Sequence, residues 1–128
     1  MSAGVLTGLL LLAACGSQVR EVGGPFYVMR LPDSQGRALF RCPEGPKNGC
    51  AIDGLPGPDV VRAGADNRYV VVERQVAGRS EYFYFARVPE ERRGWGQNPE
   101  RIIGPLDAAA FDEARSRLDL PGLSVEAD

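Results

Sequence analysis

The chain of 128 residues balances 15 Lys and Arg against 17 Asp and Glu and has no histidine. A net charge of −2 offers no basic face for nucleic acid. Without imidazole, Ser-His-Asp and Cys-His nucleophile systems and most zinc sites are excluded.

The first element is apolar. Ala3 to Ala14 carries no charge and peaks at Leu9-Leu10-Leu11-Leu12. It falls short of the roughly 20 residues that a membrane-spanning helix requires. An apolar run of this length that ends in small residues is a processing signal. Leu12-Ala13-Ala14-Cys15, followed by Gly16-Ser17, resembles the lipobox of bacterial prolipoproteins. The resemblance implies that Cys15 receives a diacylglycerol, that signal peptidase II cuts before it, and that the new amine is acylated. One feature departs from the pattern: the first basic residue is Arg20, so the stretch before the apolar run carries no Lys or Arg. The alternative is a buried N-terminal helix with an ordinary core cysteine. On the lipoprotein reading the partner implied is the membrane, held through the acyl chains. Gly16 is not the Asp that marks inner-membrane lipoproteins in Gram-negative cells, which implies the outer membrane facing the periplasm. In a Gram-positive cell the anchor would be the outer face of the plasma membrane.

Residues 1–14 are thus expected to be a signal peptide, 15–24 a lipidated tether, 25–122 a single β-rich domain in the periplasm, and 123–128 a frayed tail. A domain of that length buries about two-thirds of the surface its unfolded chain exposes. Phe26 to Leu31 reads as a first strand, Ser34-Gln35-Gly36 as a turn, and Arg37 to Arg41 as a second strand. Pro43 to Pro58 holds eight Gly and Pro residues and reads as irregular. Cys42 and Cys50 bracket its first part. An exported chain meets an oxidising compartment, so the two are expected to form a disulfide. A metal or redox pair is the competing assignment. It is disfavoured because the spacing is not Cys-x-x-Cys and no further ligands complete a site.

Val60-Val61-Arg62 reads as a short strand. Arg68 to Gln75 and Ser80 to Val88 read as a hairpin through Ala77-Gly78-Arg79. Tyr82-Phe83-Tyr84-Phe85 is apolar on both faces, as a central strand requires. A ligand-stacking platform is the other way to use those rings. Pro89 to Glu100 reads as a polar loop and Arg101 to Ile103 as a last strand. A helix runs to Arg117, with Asp107 as N-cap and Leu106 and Phe111 as a hydrophobic staple. Phe111, Ala114 and Leu118 share its apolar face, and Glu113 pairs with Arg117 outside. The fold expected is α+β, a small mainly antiparallel sheet with one C-terminal helix packed on it. Val70 to Leu120 is similar to small uncharacterised bacterial lipoproteins through Ile103-Gly104-Pro105-Leu106 and Phe111, a resemblance that carries no activity.

The functional reading is a non-catalytic binding or accessory module that needs no cofactor and no metal. Its contact loop would be Arg92-Arg93-Gly94-Trp95-Gly96-Gln97-Asn98, with Arg92, Arg93 and Trp95 as anchors toward an envelope protein. The alternative is that Trp95 folds back onto the sheet edge while the arginines are solvated. Asp53 and Asp59 lack the alternating oxygen-ligand loop of a calcium site. Glu90-Glu91 and Asp112-Glu113 read as solvated charge. A periplasmic inhibitor or immunity-type protein is a second reading. A hydrolase is a third, which the missing histidine disfavours.

Overall fold

A computed structural model describes residues 19–33, 36–52, 54–93 and 99–128. Cys15, Trp95, Asp53 and the Ser34-Gln35 turn lie outside the described residues. The chain forms two antiparallel sheets and one helix. The first sheet contains β1 (Val19–Gly23), β2 (Phe26–Arg30) and β3 (Arg37–Arg41) in that order. The second contains β4 (Val60–Ala65), β5 (Tyr69–Val76), β6 (Arg79–Ala86), β7 (Ile103–Leu106) and β8 (Val125–Glu126), ordered β7-β6-β5-β4-β8. The helix α1 spans Ala108–Leu118.

The layers follow from side-chain alternation. In β5 and β6, Val70, Val72, Phe83 and Phe85 point to one face and pack with Phe26, Val28 and Leu39 of the first sheet. Phe26 and Phe85 meet edge to face, with centroids 5.3 Å apart. Val71, Tyr82 and Tyr84 point the other way, where Phe111, Ala114 and Leu120 cover them. The architecture is therefore sheet on sheet with the helix as a third layer. The second sheet is sealed on both faces, as the apolar pattern of β6 implied.

The β5–β6 hairpin pairs Val76 with Arg79, so Ala77 and Gly78 alone form the turn. Both have positive φ, 52° and 76°, the geometry that matches strand twist in two-residue hairpins. The strand expected over Arg101 to Ile103 falls later than the sequence suggested. It covers Ile103–Leu106, and Gly104 leaves no space for a side chain: a Cβ there would sit 2.6 Å from the Phe83 ring and from the Tyr82 carbonyl oxygen. Pro105 is tolerated because β7 is an edge strand.

Two expected boundaries are corrected. Val19 to Gly23, expected to belong to a tether over 15–24, are a strand paired with β2. The tail expected to fray is part of the sheet. Val125 and Glu126 pair with β4, Ala127 is buried and donates its amide to the Val61 carbonyl, and Asp128 bonds Arg37 at 2.7 Å. Both segments are short and polar, so pattern alone gives little signal. Pairing is supplied by the open edges they meet.

The N-cap at Asp107 is as expected: its carboxylate accepts the Ala110 amide at 2.8 Å. The helix ends at Asp119 in the left-handed conformation, with φ 54°. Cys42 and Cys50 are bonded, their Cα atoms 4.3 Å apart. Just outside them Arg41 and Ala51 exchange two backbone hydrogen bonds of 2.9 Å. The Leu39 amide donates to the Pro56 carbonyl, so the Gly- and Pro-rich segment follows the edge of β3.

Two outcomes check this packing. Phe111 stacks on Tyr82 at 4.7 Å and 12° between planes. Phe111→Ala should lower unfolding free energy by about 3–5 kcal/mol in a denaturant titration. Deletion of residues 125–128 should cost about 1–3 kcal/mol through lost strand hydrogen bonds, read as an earlier denaturant midpoint.

Candidate functional site

The loop singled out by sequence divides. Glu90–Arg92 forms a single 3-10 turn closed by the Arg92 amide on the Pro89 carbonyl at 3.0 Å, and Arg92 is exposed. Arg93 is not a surface anchor. Its guanidinium pairs with the carboxylate of Glu100, whose side chain is fully covered while that of Arg93 is 8% exposed. Two charges taken out of water this far are tolerable only together. The reading of Arg93 as a contact residue is thereby corrected, because its charge is spent on fastening one end of the loop to the other. Glu100 was not singled out in the sequence. An Arg and a Glu flanking a Gly-rich loop were the only trace of the pair, and such flanks are common.

A better-formed concavity lies between α1 and the second sheet. It encloses about 260 Å³ and is lined by Arg62, Tyr82, Phe111, Asp112, Arg115 and Leu123. One wall is the stacked Tyr82–Phe111 ring pair. Arg62 is fixed from behind. Its Nε and Nη2 donate to one carboxylate oxygen of Glu73 at 2.7 and 2.6 Å, and the other oxygen accepts from the Ser80 hydroxyl at 2.7 Å. Glu73 is only 4% exposed, so its charge is fully committed to these partners. Arg62 itself keeps 40% of its side chain in contact with solvent. The cleft therefore presents a flat aromatic wall, an immobilised guanidinium, a second guanidinium at Arg115 and one carboxylate at Asp112. That is a binding surface for a small polar group beside an apolar one. Among the described residues that line it there is no Ser, Cys or Lys.

A second hollow of about 360 Å³ lies beside Pro25, Asn67, Arg87 and Pro89. Arg87 is a clamp here. It donates from Nη1 to the Asp66 carbonyl at 2.8 Å and from Nη2 to the Gly24 carbonyl, and lies 5.9 Å over the Phe26 ring. It thus ties the β4–β5 turn to the β1–β2 turn across the two sheets. The Asp66 carboxylate accepts the Arg68 and Tyr69 amides at 2.8 and 2.7 Å. Partial burial pushes this carboxyl up. The two amide bonds and the charges of Arg68 and Arg87 outweigh that effect and hold it below its ordinary value.

The Asp112-Glu113 pair lies on the helix surface, as the sequence suggested. Asp112 and Glu113 face solvent on α1, with Glu113 on Arg117 at 3.1 Å. Among the described residues no group of three or more Cys, Asp or Glu could hold a metal ion, and no helix is long and apolar enough to cross a membrane.

The two arginines of the loop should separate in a stability measurement. Arg93→Ala leaves Glu100 buried and unpaired and should cost about 3–5 kcal/mol in chemical denaturation. Arg92→Ala should stay within about 0.5 kcal/mol of the parent. Comparison with family models, with curated proteins and with solved structures finds no match to this chain.

Proposed function

We propose that the chain is an envelope lipoprotein whose domain is a non-catalytic binding module, anchored to the membrane through acyl chains on Cys15. The observation that carries the reading is the apolar run ending in Leu12-Ala13-Ala14-Cys15, four residues before the first strand begins at Val19. The Cys42–Cys50 disulfide supports it, since such bonds persist in oxidising compartments. Two or more acyl chains give stable anchoring where one does not. In a Gram-negative cell the address is the outer membrane facing the periplasm.

The binding surface we assign is the cleft between α1 and the second sheet. Support comes from the Glu73–Ser80 brace, which spends a buried carboxylate on holding Arg62 in one position. Pre-positioning of this kind lowers the ordering cost of capturing a ligand. The partner is an envelope component offering an anionic or hydrogen-bond-accepting group next to an apolar surface. Arg92, exposed on its 3-10 turn, remains a contact candidate at a separate place.

Labelled fatty acid tests the anchor. It should enter the parent chain and be lost in Cys15→Ser, which should accumulate as the uncleaved precursor. Equal labelling of both would overturn the assignment.

A further inference from the structure

We propose that one end of the space between the two sheets is a binding site for a phosphate-type oxyanion, formed by Arg20, Arg30 and Arg37. The site depends neither on the cleft beside α1 nor on the lipid anchor. The first sheet carries its arginines on one face. Arg20 lies opposite Val28, Arg30 opposite Arg37, and Arg41 opposite Phe26. Residues directly opposite one another share a face. All four arginines therefore stand on the side of Phe26, Val28 and Leu39, which packs on the second sheet. Solvation alone gives an arginine no reason to prefer that side.

Three of the four gather at one end. Arg30 ends β2 and Arg37 starts β3, where they are direct cross-strand neighbours. Arg20 is the diagonal neighbour of Arg30, a separation of about 7–8 Å. Like charges placed directly opposite one another are destabilising. The groups that meet them from the second sheet offset little of this. Asp128 bonds Arg37 at 2.7 Å but stays 81% exposed, so it borders the site without filling it. Arg74, opposite Val60, is neutralised by Glu81 at 2.8 Å and donates to the Gly57 carbonyl at 3.0 Å. Asp33 and Asp59, in the adjoining turns, are exposed.

The donors themselves call for an acceptor. The Nε atoms of Arg20 and Arg37 are covered, and among the described residues neither finds a hydrogen-bond partner. Buried polar groups in native proteins are paired, and an exception points to a bound ion or water. Arg20 is half-buried and the Arg37 side chain is 21% exposed, so both stand at the rim, within reach of a solute. Guanidinium forks match phosphate oxygens in two-point hydrogen bonds. Three forks on three strands need more oxygens than the two of a carboxylate, and a tetrahedral dianion supplies them. Its charge also turns the Arg30–Arg37 repulsion into a shared attraction.

Inorganic phosphate is the probe. The full chain, with isotope-labelled arginine and in neutral detergent, is titrated by NMR while sodium chloride holds the ionic strength constant. The Nε–H resonances of Arg20 and Arg37 should move and saturate, while those of the exposed Arg68 and Arg117 stay in place. Arg20→Gln should weaken the saturable binding read at Arg37 by about tenfold, the loss of one charge-assisted contact. If that variant does not fold, the titration of the parent chain still decides. Glycerol phosphate and phosphatidic acid in micelles then separate two sources of the same group. Equal binding of both assigns a soluble phosphate ester, tighter binding of the micelle a lipid headgroup, and either supports the site. Absence of movement at Arg20 and Arg37 overturns it. An unsaturated drift shared with Arg68 and Arg117 means ionic screening only and overturns it as well.

Discussion

Burial of both faces of one hairpin is the constraint on which the rest of this molecule depends. β5 and β6 pair over their full lengths, Tyr69 with Ala86 through Val76 with Arg79. Val70, Val72, Phe83 and Phe85 demand a cover on one side, and Val71, Tyr82 and Tyr84 demand one on the other. Removing apolar surface from water is worth about 25 cal/mol per Å², so a hairpin this apolar leaves neither face bare. The three-stranded sheet answers the first demand and α1 the second. The remaining strands, β4, β7 and β8, extend the sheet edges and complete those two covers.

Polar groups enter this frame only where they are paired. Glu73 stands among apolar neighbours in β5, and its cost is offset by Arg62 and Ser80. Glu100 is met by Arg93, and Arg87 spends two nitrogens on carbonyls of two different turns. Each pair joins segments distant in sequence or closes a long loop. A frame with little helix and many connections needs such pins, because loop backbone groups lack a ladder of their own. The consequence for function is that most arginines are structural. Of those near a concavity, Arg62 combines a fixed position with exposure, which is why the cleft beside α1 carries the binding proposal.

The elements with a strong pattern were legible. Phe26 to Arg30, the β5–β6 hairpin, the double-sided burial of Tyr82 to Phe85 and the capped helix all follow from alternation, turn chemistry and an N-cap Asp. The disulfide was also legible, since two cysteines remained once Cys15 was set aside. What was hidden depended on partners. Val19 to Gly23 and Val125-Glu126 are polar enough to read as coil, and become strands because β2 and β4 offer open edges. The split into two sheets was hidden as well, since alternation tells which side chains share a face but not what covers it. Arg93 was misplaced for the same reason: an arginine in a polar loop reads as solvated until its carboxylate, seven residues on, is brought to it. The cleft beside α1 had no sequence signature, because Arg62, Tyr82 and Arg115 come from three elements.

The strand at the N-terminus changes what an anchor on Cys15 would mean. A ten-residue flexible tether lets a domain sample many orientations, with end-to-end distances growing as the square root of length, on the order of 5–6 Å × √n. With β1 starting at Val19 and paired to β2, four residues of sequence separate Cys15 from the sheet. Anchoring then becomes an orientational constraint as well as a restriction to the surface. α1 and its cleft sit on the far side of the second sheet, two layers from β1. Arg62, Tyr82 and Arg115 thus line a cleft on the side of the second sheet that faces away from the three-stranded sheet in which β1 pairs. The sealed hairpin stands between β1 and the cleft and holds that separation.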